Sequence, residues 1–379
     1  MQQPIFTEAE RLLRKGDRFV LATVVRTKGS TPQKPGAKLL VRVDGTAVGT
    51  LGGGCVEADV WAEAKSILED GGHSQVRKFI LNEDIAAKDG LVCGGNMEIL
   101  IDPVPSRGEL NPLMDEILAA YQGKGDCALA TLVSGKGQPG AKLFIRANGS
   151  TIGSLGSSVL DQEANGLAQQ LMPKGREQWV ESNGAKYYLE TFTNPATVVI
   201  AGGGHVGKAV YNVAVMLGFK VIIVDDRPMY ANAERFPQAE KVVVDDMPIG
   251  LRNLNLGPNY YVIIATRGHK LDGAALLAAA ESKAGYLGLL GSRRKAVMIF
   301  RDLLRAGISE ARVQEVRSPV GLDLGGRTPE EIAVSIMAEI LAVKHSRQGG
   351  FMTLDEKVLE KAKTLAVKPA PRRKAAASA

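Results

Sequence analysis

TVVIAGGGHVGKAVYNVAVMLGFKVIIVDDR, residues 197–227, decides the fold class of this 379-residue chain. An apolar run leads into a turn that contains Gly202, Gly204 and Gly207. A helical pattern follows, and then a second apolar run that ends in two aspartates. This order, within about thirty residues, is that of a βαβ unit whose glycines let the backbone approach a phosphate group. The sequence therefore predicts a parallel α/β domain in this half of the chain.

Further apolar runs continue the same alternation of strands and helices. They lie at Lys241–Val244, Tyr260–Ala265 and Gly285–Leu290, so we expect a Rossmann-like doubly wound parallel sheet. Gly202, Gly204 and Gly207 would bind a nucleotide, and Asp225 or Asp226 would bind its ribose. The alternative is that the turn is kept for packing alone, and the residues leave it open.

Two more predicted strand ends lie at the same edge of this sheet. At one of them, Ser292, Arg293, Arg294 and Lys295 begin a helix, and we interpret them as phosphate-binding residues rather than as a solvated basic helix start. At the other, His269 is a candidate general acid or base. A histidine that only satisfies hydrogen bonds is the alternative for His269.

The first half of the chain contains an internal repeat. Residues 35–56 align without gaps to residues 139–160, with ten identities in 22 positions. Each copy predicts a helix, a strand and a hairpin, and the hairpin turn is an Asp-Gly or an Asn-Gly dipeptide, which tolerates positive φ angles. We therefore expect two duplicated α/β units with β-hairpins ahead of the Rossmann-like sheet.

The first copy carries a glycine-rich loop that the second copy lacks. Gly52, Gly53 and Gly54 precede Cys55 at a predicted helix start, where the helix dipole favours a thiolate and the glycines leave room for an anionic ligand. The second copy has Val159 in place of the thiol. That difference supports a functional Cys55, although it also allows a small buried side chain at this position.

The other two cysteines give weaker signals. Cys93 stands beside two glycines and could share a ligand with Cys55, or could be an ordinary buried residue. Cys127 starts a predicted strand and should lie in the core. With no CxxC pair, we predict neither a metal site nor a disulfide framework.

Composition excludes several classes of protein. The net charge is +6, but residues 355–379 hold seven Lys and Arg against three Asp and Glu, so we expect a disordered basic tail over 347–379 and no nucleic-acid partner. No apolar run is long enough to span a membrane, and the N-terminus lacks a signal-peptide core. These features predict a cytoplasmic protein with reduced thiols.

Eight motifs, in order, resemble the xanthine dehydrogenase accessory factor family, also called XdhC/CoxI. They are GSTPQKPGAK, GTLGGGCVEADV, LVCGGNMEIL, GGGHVG, VDDRPMYANAERFP, ATRGHKLD, LLGSRRK and SPVGLDLGGRTPEEIAVSIMAEI. The proline-containing loop departs from the usual pattern, since Gln33 and Lys34 stand where arginine is common.

The resemblance implies a maturation protein that binds molybdenum cofactor (molybdopterin), protects it during sulfuration by a cysteine desulfurase, and delivers it to a molybdenum hydroxylase. Xanthine and carbon monoxide dehydrogenases are such client enzymes. The resemblance assigns the cofactor-facing positions to Cys55 and Cys93. It implies a chaperone more than an enzyme, and it leaves a homodimer open.

An NAD(P)-dependent oxidoreductase is the alternative function. We expect an XdhC/CoxI-type domain over 1–105, a degenerate second copy over 106–192 and the Rossmann-like domain over 195–346.

Overall fold

The computed structural model of the protein describes residues 3–81, 95–106, 110–353 and 356–367. It contains two five-stranded antiparallel sheets followed by one six-stranded parallel sheet. The predicted class is therefore confirmed: an N-terminal α/β region with β-hairpins precedes a C-terminal Rossmann-like sheet. The division of the chain at residues 105, 192 and 346 stays a prediction.

The first unit is built around the sheet β3-β2-β1-β5-β4. Its elements are α1 (Gln3–Lys15), β1 (Phe19–Lys28), β2 (Lys38–Arg42), β3 (Ala47–Gly49), α2 (Gly54–Asp70), β4 (Gln75–Ile80) and β5 (Asn96–Val104). The predicted hairpin is confirmed, because Leu40 on β2 pairs with Val48 on β3.

The second unit repeats this order in the sheet β8-β7-β6-β10-β9. Its elements are α3 (Leu110–Tyr121), β6 (Cys127–Ser134), β7 (Lys142–Arg146), β8 (Thr151–Gly153), α4 (Ser158–Leu171), a 3-10 turn (Met172–Lys174), β9 (Gln178–Ser182) and β10 (Ala185–Phe192). The register is also the same: Leu21 pairs with Asp102 in the first sheet, and Leu129 pairs with Glu190 in the second.

Each of these two sheets is buried on both faces, and successive side chains along a strand point to opposite faces. On β1, Val20, Ala22 and Val24 pack under α2. Phe19 points the other way, into a core that it shares with α1, α3 and Phe144 of the second sheet. The inner faces of the two sheets therefore face each other.

Two reciprocal ion pairs cross between these inner faces. Lys38 of the first unit reaches Glu190 of the second at 2.7 Å, and its ammonium also donates to Thr23 at 3.1 Å. Lys142, the repeat equivalent of Lys38, reaches back to Asp102 of the first unit. The two units are thus related by an approximate twofold axis, with one lysine from each unit on the acid of the other.

The third sheet has the order β13-β12-β11-β14-β15-β16. Its elements are β11 (Thr197–Ala201), α5 (His205–Met216), β12 (Lys220–Asp225), β13 (Lys241–Val244), α6 (Met247–Arg252), β14 (Tyr260–Ile264), α7 (His269–Ala280), β15 (Tyr286–Leu289), α8 (Arg293–Arg305), α9 (Glu310–Gln314), β16 (Val316–Arg317) and α10 (Pro329–Lys344). The helices α5 and α10 cover one face, and α6, α7 and α8 cover the other. This is the strand order of a dinucleotide-binding fold.

One further helix, α11 (Glu356–Val367), lies in the segment where we expected disorder. Its described apolar side chains Val358 and Leu359 are exposed. Among the described residues, no helix is both long and apolar enough to cross a membrane.

Candidate functional site

The glycine-rich loop forms a backbone path that only glycines adopt readily. Gly52, Gly53 and Gly54 have φ angles of 109°, 74° and 67°, all in the left-handed region. A Cβ on Gly52 would lie 2.6 Å from Pro32, whereas a Cβ on Gly53 or Gly54 would meet nothing within 4 Å. Gly52 is therefore fixed by packing against the proline-containing loop, and the next two glycines leave open space.

Cys55 is exposed in the first turn of α2. The equivalent Val159 in the second unit is also exposed, at 59%. A small buried side chain therefore does not explain the cysteine, because this position lies on the surface in both units. Cys127 is buried in the core as predicted, and burial raises the pKa of its thiol to about 12.

Glu57 occupies the anion position that the sequence assigned to the glycine loop. Its carboxylate accepts hydrogen bonds from the Thr50 hydroxyl at 2.7 Å, the Leu51 amide at 2.9 Å and the Gly53 amide at 3.1 Å. Partial burial acts to raise the pKa of Glu57, but these hydrogen bonds outweigh it and lower the pKa. Asp161 binds the second loop in the same way, so the acid holds the loop shape in both units.

Cys93 lies outside the described residues. Among the residues that the structure does describe, no group of three or more His, Cys, Asp or Glu side chains could hold a metal ion.

The glycines of the Rossmann turn serve close packing. A Cβ on Gly202 would collide with the carbonyl of Ala265, and one on Gly207 would collide with the carbonyl of Gly202. Gly204, by contrast, has open space around it and precedes the exposed His205 at the start of α5. The amino end of α5 is therefore the accessible part of the turn.

Asp225 is fully buried and both of its carboxylate oxygens are engaged. One oxygen accepts from the Gly203 amide at 2.8 Å, and the Arg227 guanidinium binds the two oxygens at 2.9 and 3.0 Å. Burial acts to raise the pKa of Asp225, but the bonds from Arg227 and Gly203 lower it overall. A ribose hydroxyl would have to displace Arg227 to reach this carboxylate, so ribose binding by Asp225 stays a prediction.

The other predicted phosphate residues divide into two groups. Lys295 forms an ion pair with the buried Asp272, which also accepts a hydrogen bond from the Thr266 hydroxyl. The ammonium of Lys295 is therefore already engaged by a carboxylate. Ser292 caps α8, while Arg293 and its neighbour Arg294 are exposed and form no ion pair within the described part of the chain. His269 is exposed at the start of α7.

A cleft that no sequence motif predicts lies between the second unit and the parallel sheet, at the amino ends of β11 and β14. Its volume is about 600 Å³. We call it the basic cleft, and its titratable lining residues other than tyrosines are Lys174, Arg176, Glu177, Lys344 and His345. These residues come from a turn and a helix end, and only the asymmetry between the two repeat copies could have indicated them.

Comparison with known proteins identifies relatives along most of the chain. A family model described as the XdhC Rossmann domain matches residues 198–340, and one described as the XdhC and CoxI family matches residues 12–79 and 120–183. The second model thus matches in both repeat units.

Three relatives cover about nine-tenths of the chain. An uncharacterised Escherichia coli protein, YqeB, is 29% identical over 92% of this chain, which spans about half of the length of YqeB. A Bacillus subtilis protein named as a probable subunit of xanthine dehydrogenase is 25% identical over 89% of this chain and 97% of its own length. The molybdenum cofactor insertion chaperone PaoD of Escherichia coli is 25% identical over 89% of this chain and 86% of its own length.

A solved structure shares the fold. It is a Bacillus halodurans protein described as a xanthine dehydrogenase, and it matches with a TM-score of 0.66 at 24% identity, over 89% of this chain and 96% of its own.

Proposed function

The chain belongs to the XdhC and CoxI family, and on that premise we propose that it binds molybdenum cofactor, protects it and delivers it to a molybdenum hydroxylase. A maturation role is supported by two relatives, one named as a molybdenum cofactor insertion chaperone and the other as part of a xanthine dehydrogenase. The observation that carries the finer proposal is the exposed Cys55, which stands on a glycine loop that only the first repeat unit possesses.

The chemistry of the loop suits this cargo. The cofactor presents a sulfur-ligated metal, and a cysteine thiolate is a ligand that soft metal centres accept. Gly53 and Gly54 have open space around them, and Glu57 fixes the loop through the amides of Leu51 and Gly53. In the proposal, Cys55 contacts the metal or its sulfur, and the loop supplies a rigid, uncrowded approach.

The proposal includes two partners and a compartment. A molybdenum hydroxylase such as xanthine or carbon monoxide dehydrogenase would receive the cofactor, and a cysteine desulfurase would supply sulfur while the cofactor is bound. An unmodified cysteine requires reducing conditions, so we infer a cytoplasmic setting.

The test uses the full chain, purified from a host that makes the cofactor. Pterin is released from the protein by oxidation and measured by its fluorescence. We expect Cys55→Ser to lower the pterin content at least tenfold, while the matched variant Val159→Ser, at the equivalent exposed position of the second unit, retains the wild-type content. Wild-type protein without pterin would overturn the proposed function, and equal content in all three proteins would overturn the role of Cys55.

A further inference from the structure

The basic cleft gathers positive charge from separate parts of the chain. Lys174 and Arg176 come from the turn that joins α4 to β9, and Lys344 and His345 come from the end of α10. The Arg176 guanidinium donates to the Ser346 hydroxyl, which joins the turn to the helix end. Two distant segments are therefore held together around one cavity.

Within the described residues, carboxylates balance the positive charge of the basic cleft only in part, and the Lys344 ammonium lies 5.0 Å from the centre of the Phe219 ring. The cations in and beside the cleft form no ion pair with a carboxylate of the described residues. These cations are Lys34, Lys174, Arg176, Lys344 and Arg347. Among the described lining residues, Glu177 alone is acidic. Glu177 as a residue is exposed, but burial around its carboxyl group raises the pKa to about 7, and the charges that act on this group are those of Glu190 and Lys38.

The cations act on one another across the basic cleft. The pKa of His345 is lowered first by burial and then by the positive charges of Lys344, Lys34, Arg176 and Arg347. Partial burial also lowers the pKa of Lys344. Crowded cations of this kind are stabilised by an anion that lies among them.

The first unit provides an internal comparison for the basic cleft. The turn equivalent to Lys174 and Arg176 has Gly71 and His73, because Gln75 and Gln178 occupy the same position on β4 and β9. This turn lines a cavity of about 570 Å³ together with Gln138, the repeat equivalent of Lys34. Arginine is also present there, but that residue, Arg18, donates to the Leu68 carbonyl at 2.8 Å.

Three equivalent positions therefore differ towards positive charge in one of the two cavities, while a fourth, Glu177 in place of Ser74, differs towards negative charge. The cavity with these additional cations is the basic cleft, which adjoins the end of α10. A general need of the fold would have placed the same cations in both cavities.

The proline-containing loop contacts the Cys55 loop and brings a cation near the basic cleft. Pro32 packs against Gly52 of that loop, and Lys34 follows two residues later and is close enough to act on His345. The Thr50 amide also bonds to the carbonyl of Lys38 at 2.9 Å. The proline-containing loop thus bridges the glycine loop and the cleft.

We propose that the basic cleft binds a phosphate monoester group through Arg176, Lys174 and Lys344. An arginine fork with neighbouring ammonium groups is suited to phosphate oxygens. If the proposed function holds, on which this assignment of the source rests, the group is the phosphate of the pterin cargo, whose other end lies towards Cys55. A free phosphorylated metabolite is the second source with the same chemistry.

The first arm of the test titrates inorganic phosphate into the cofactor-free full chain and follows binding by ³¹P NMR. We expect Arg176→Ala/Lys344→Ala to weaken phosphate binding at least tenfold. The control Arg301→Ala/Arg305→Ala, which removes two exposed charges from α8, should bind as the wild type does, and Arg176→Lys/Lys344→Arg should retain most of the binding. Wild-type protein without saturable binding, or equal binding by the alanine variant, overturns the site.

The second arm measures pterin content in the same variants from a cofactor-producing host. If the cargo supplies the phosphate, Arg176→Ala/Lys344→Ala loses pterin at least tenfold, whereas Cys55→Ser still binds inorganic phosphate with wild-type affinity. Lost phosphate binding with unchanged pterin content overturns the cargo assignment and identifies a free metabolite as the source. The first arm needs no pterin, so the cleft is tested even where the proposed function fails.

Discussion

Replacing Lys38 by methionine should destabilise the two N-terminal units strongly. The Lys38 and Glu190 side chains are 1% and 7% exposed, and the charged atoms lie 2.7 Å apart. At an effective dielectric constant of about 20, that separation corresponds to an attraction of about 6 kcal/mol, much of which offsets the cost of taking both charges out of water. Removing one partner leaves the other buried without compensation, so we expect a loss of about 3–5 kcal/mol in the free energy of unfolding.

The assay is equilibrium unfolding in urea, followed by tryptophan fluorescence. The two tryptophans of the chain are Trp61 in α2 and Trp179 in β9, so the signal reports on the two N-terminal units and not on the parallel sheet. We expect Lys38→Met and Glu190→Leu each to be costly and the double variant to recover most of the loss, because it removes both charges together.

The second ion pair serves as the matched comparison. The Lys142 side chain is 18% exposed, so water can compensate part of the lost partner and Lys142→Met should cost less than Lys38→Met. A cost below about 1 kcal/mol for Lys38→Met would refute the reasoning, and so would single-variant effects that simply add in the double variant.

Further predictions concern single residues that hold loops, turns and strand ends in place. Glu57→Gln should lower the free energy of unfolding by about 1–2 kcal/mol at pH 7. The pKa of Glu57 in the folded protein is below its ordinary value of 4.5. The difference in thermal stability between the variant and the wild type should therefore disappear as the pH falls through that folded pKa. Gly49→Ala should lower the free energy of unfolding in urea by about 2 kcal/mol or more, because φ is 96° and a Cβ would collide with the carbonyl of Lys38. The matched variant Gly166→Ala lies in open space within α4 and should raise the free energy of unfolding by about 0.5–1 kcal/mol. Asp225→Asn should destabilise the parallel sheet by about 2 kcal/mol by weakening the bond to Arg227. Calorimetric titration of NAD tests the predicted ribose contact: because Arg227 binds both oxygens of Asp225, we expect no saturable binding, and saturable binding by the wild-type protein would contradict this.

Local patterns predicted the elements of the fold correctly because the signals lie close together in the chain. The Asp44-Gly45 and Asn148-Gly149 turns predicted both hairpins, and the repeat predicted that the two units share one order of strands. The start of α10 is likewise determined locally, by the capping box that Thr328 and Glu331 form.

The sequence was less informative about sites, because these depend on which distant groups meet. It identified the glycine loop, but not that Glu57 fills its anion position. It assigned Asp225 to a ribose without revealing that Arg227 binds both of its oxygens. His345 follows the last residue of α10, and its cationic surroundings arise only when three segments of the chain come together.

The reciprocal ion pairs make the two repeat units inseparable. A fragment that ends at residue 105 would retain Lys38 and Asp102 while losing Glu190 and Lys142, which leaves a cation and an anion on an apolar face with no cover. The smallest fragment that satisfies every member of both pairs extends through β10, to Phe192. In this respect the N-terminal half behaves as a dimer whose two halves share one chain, and truncation studies should cut after residue 192 rather than between the copies.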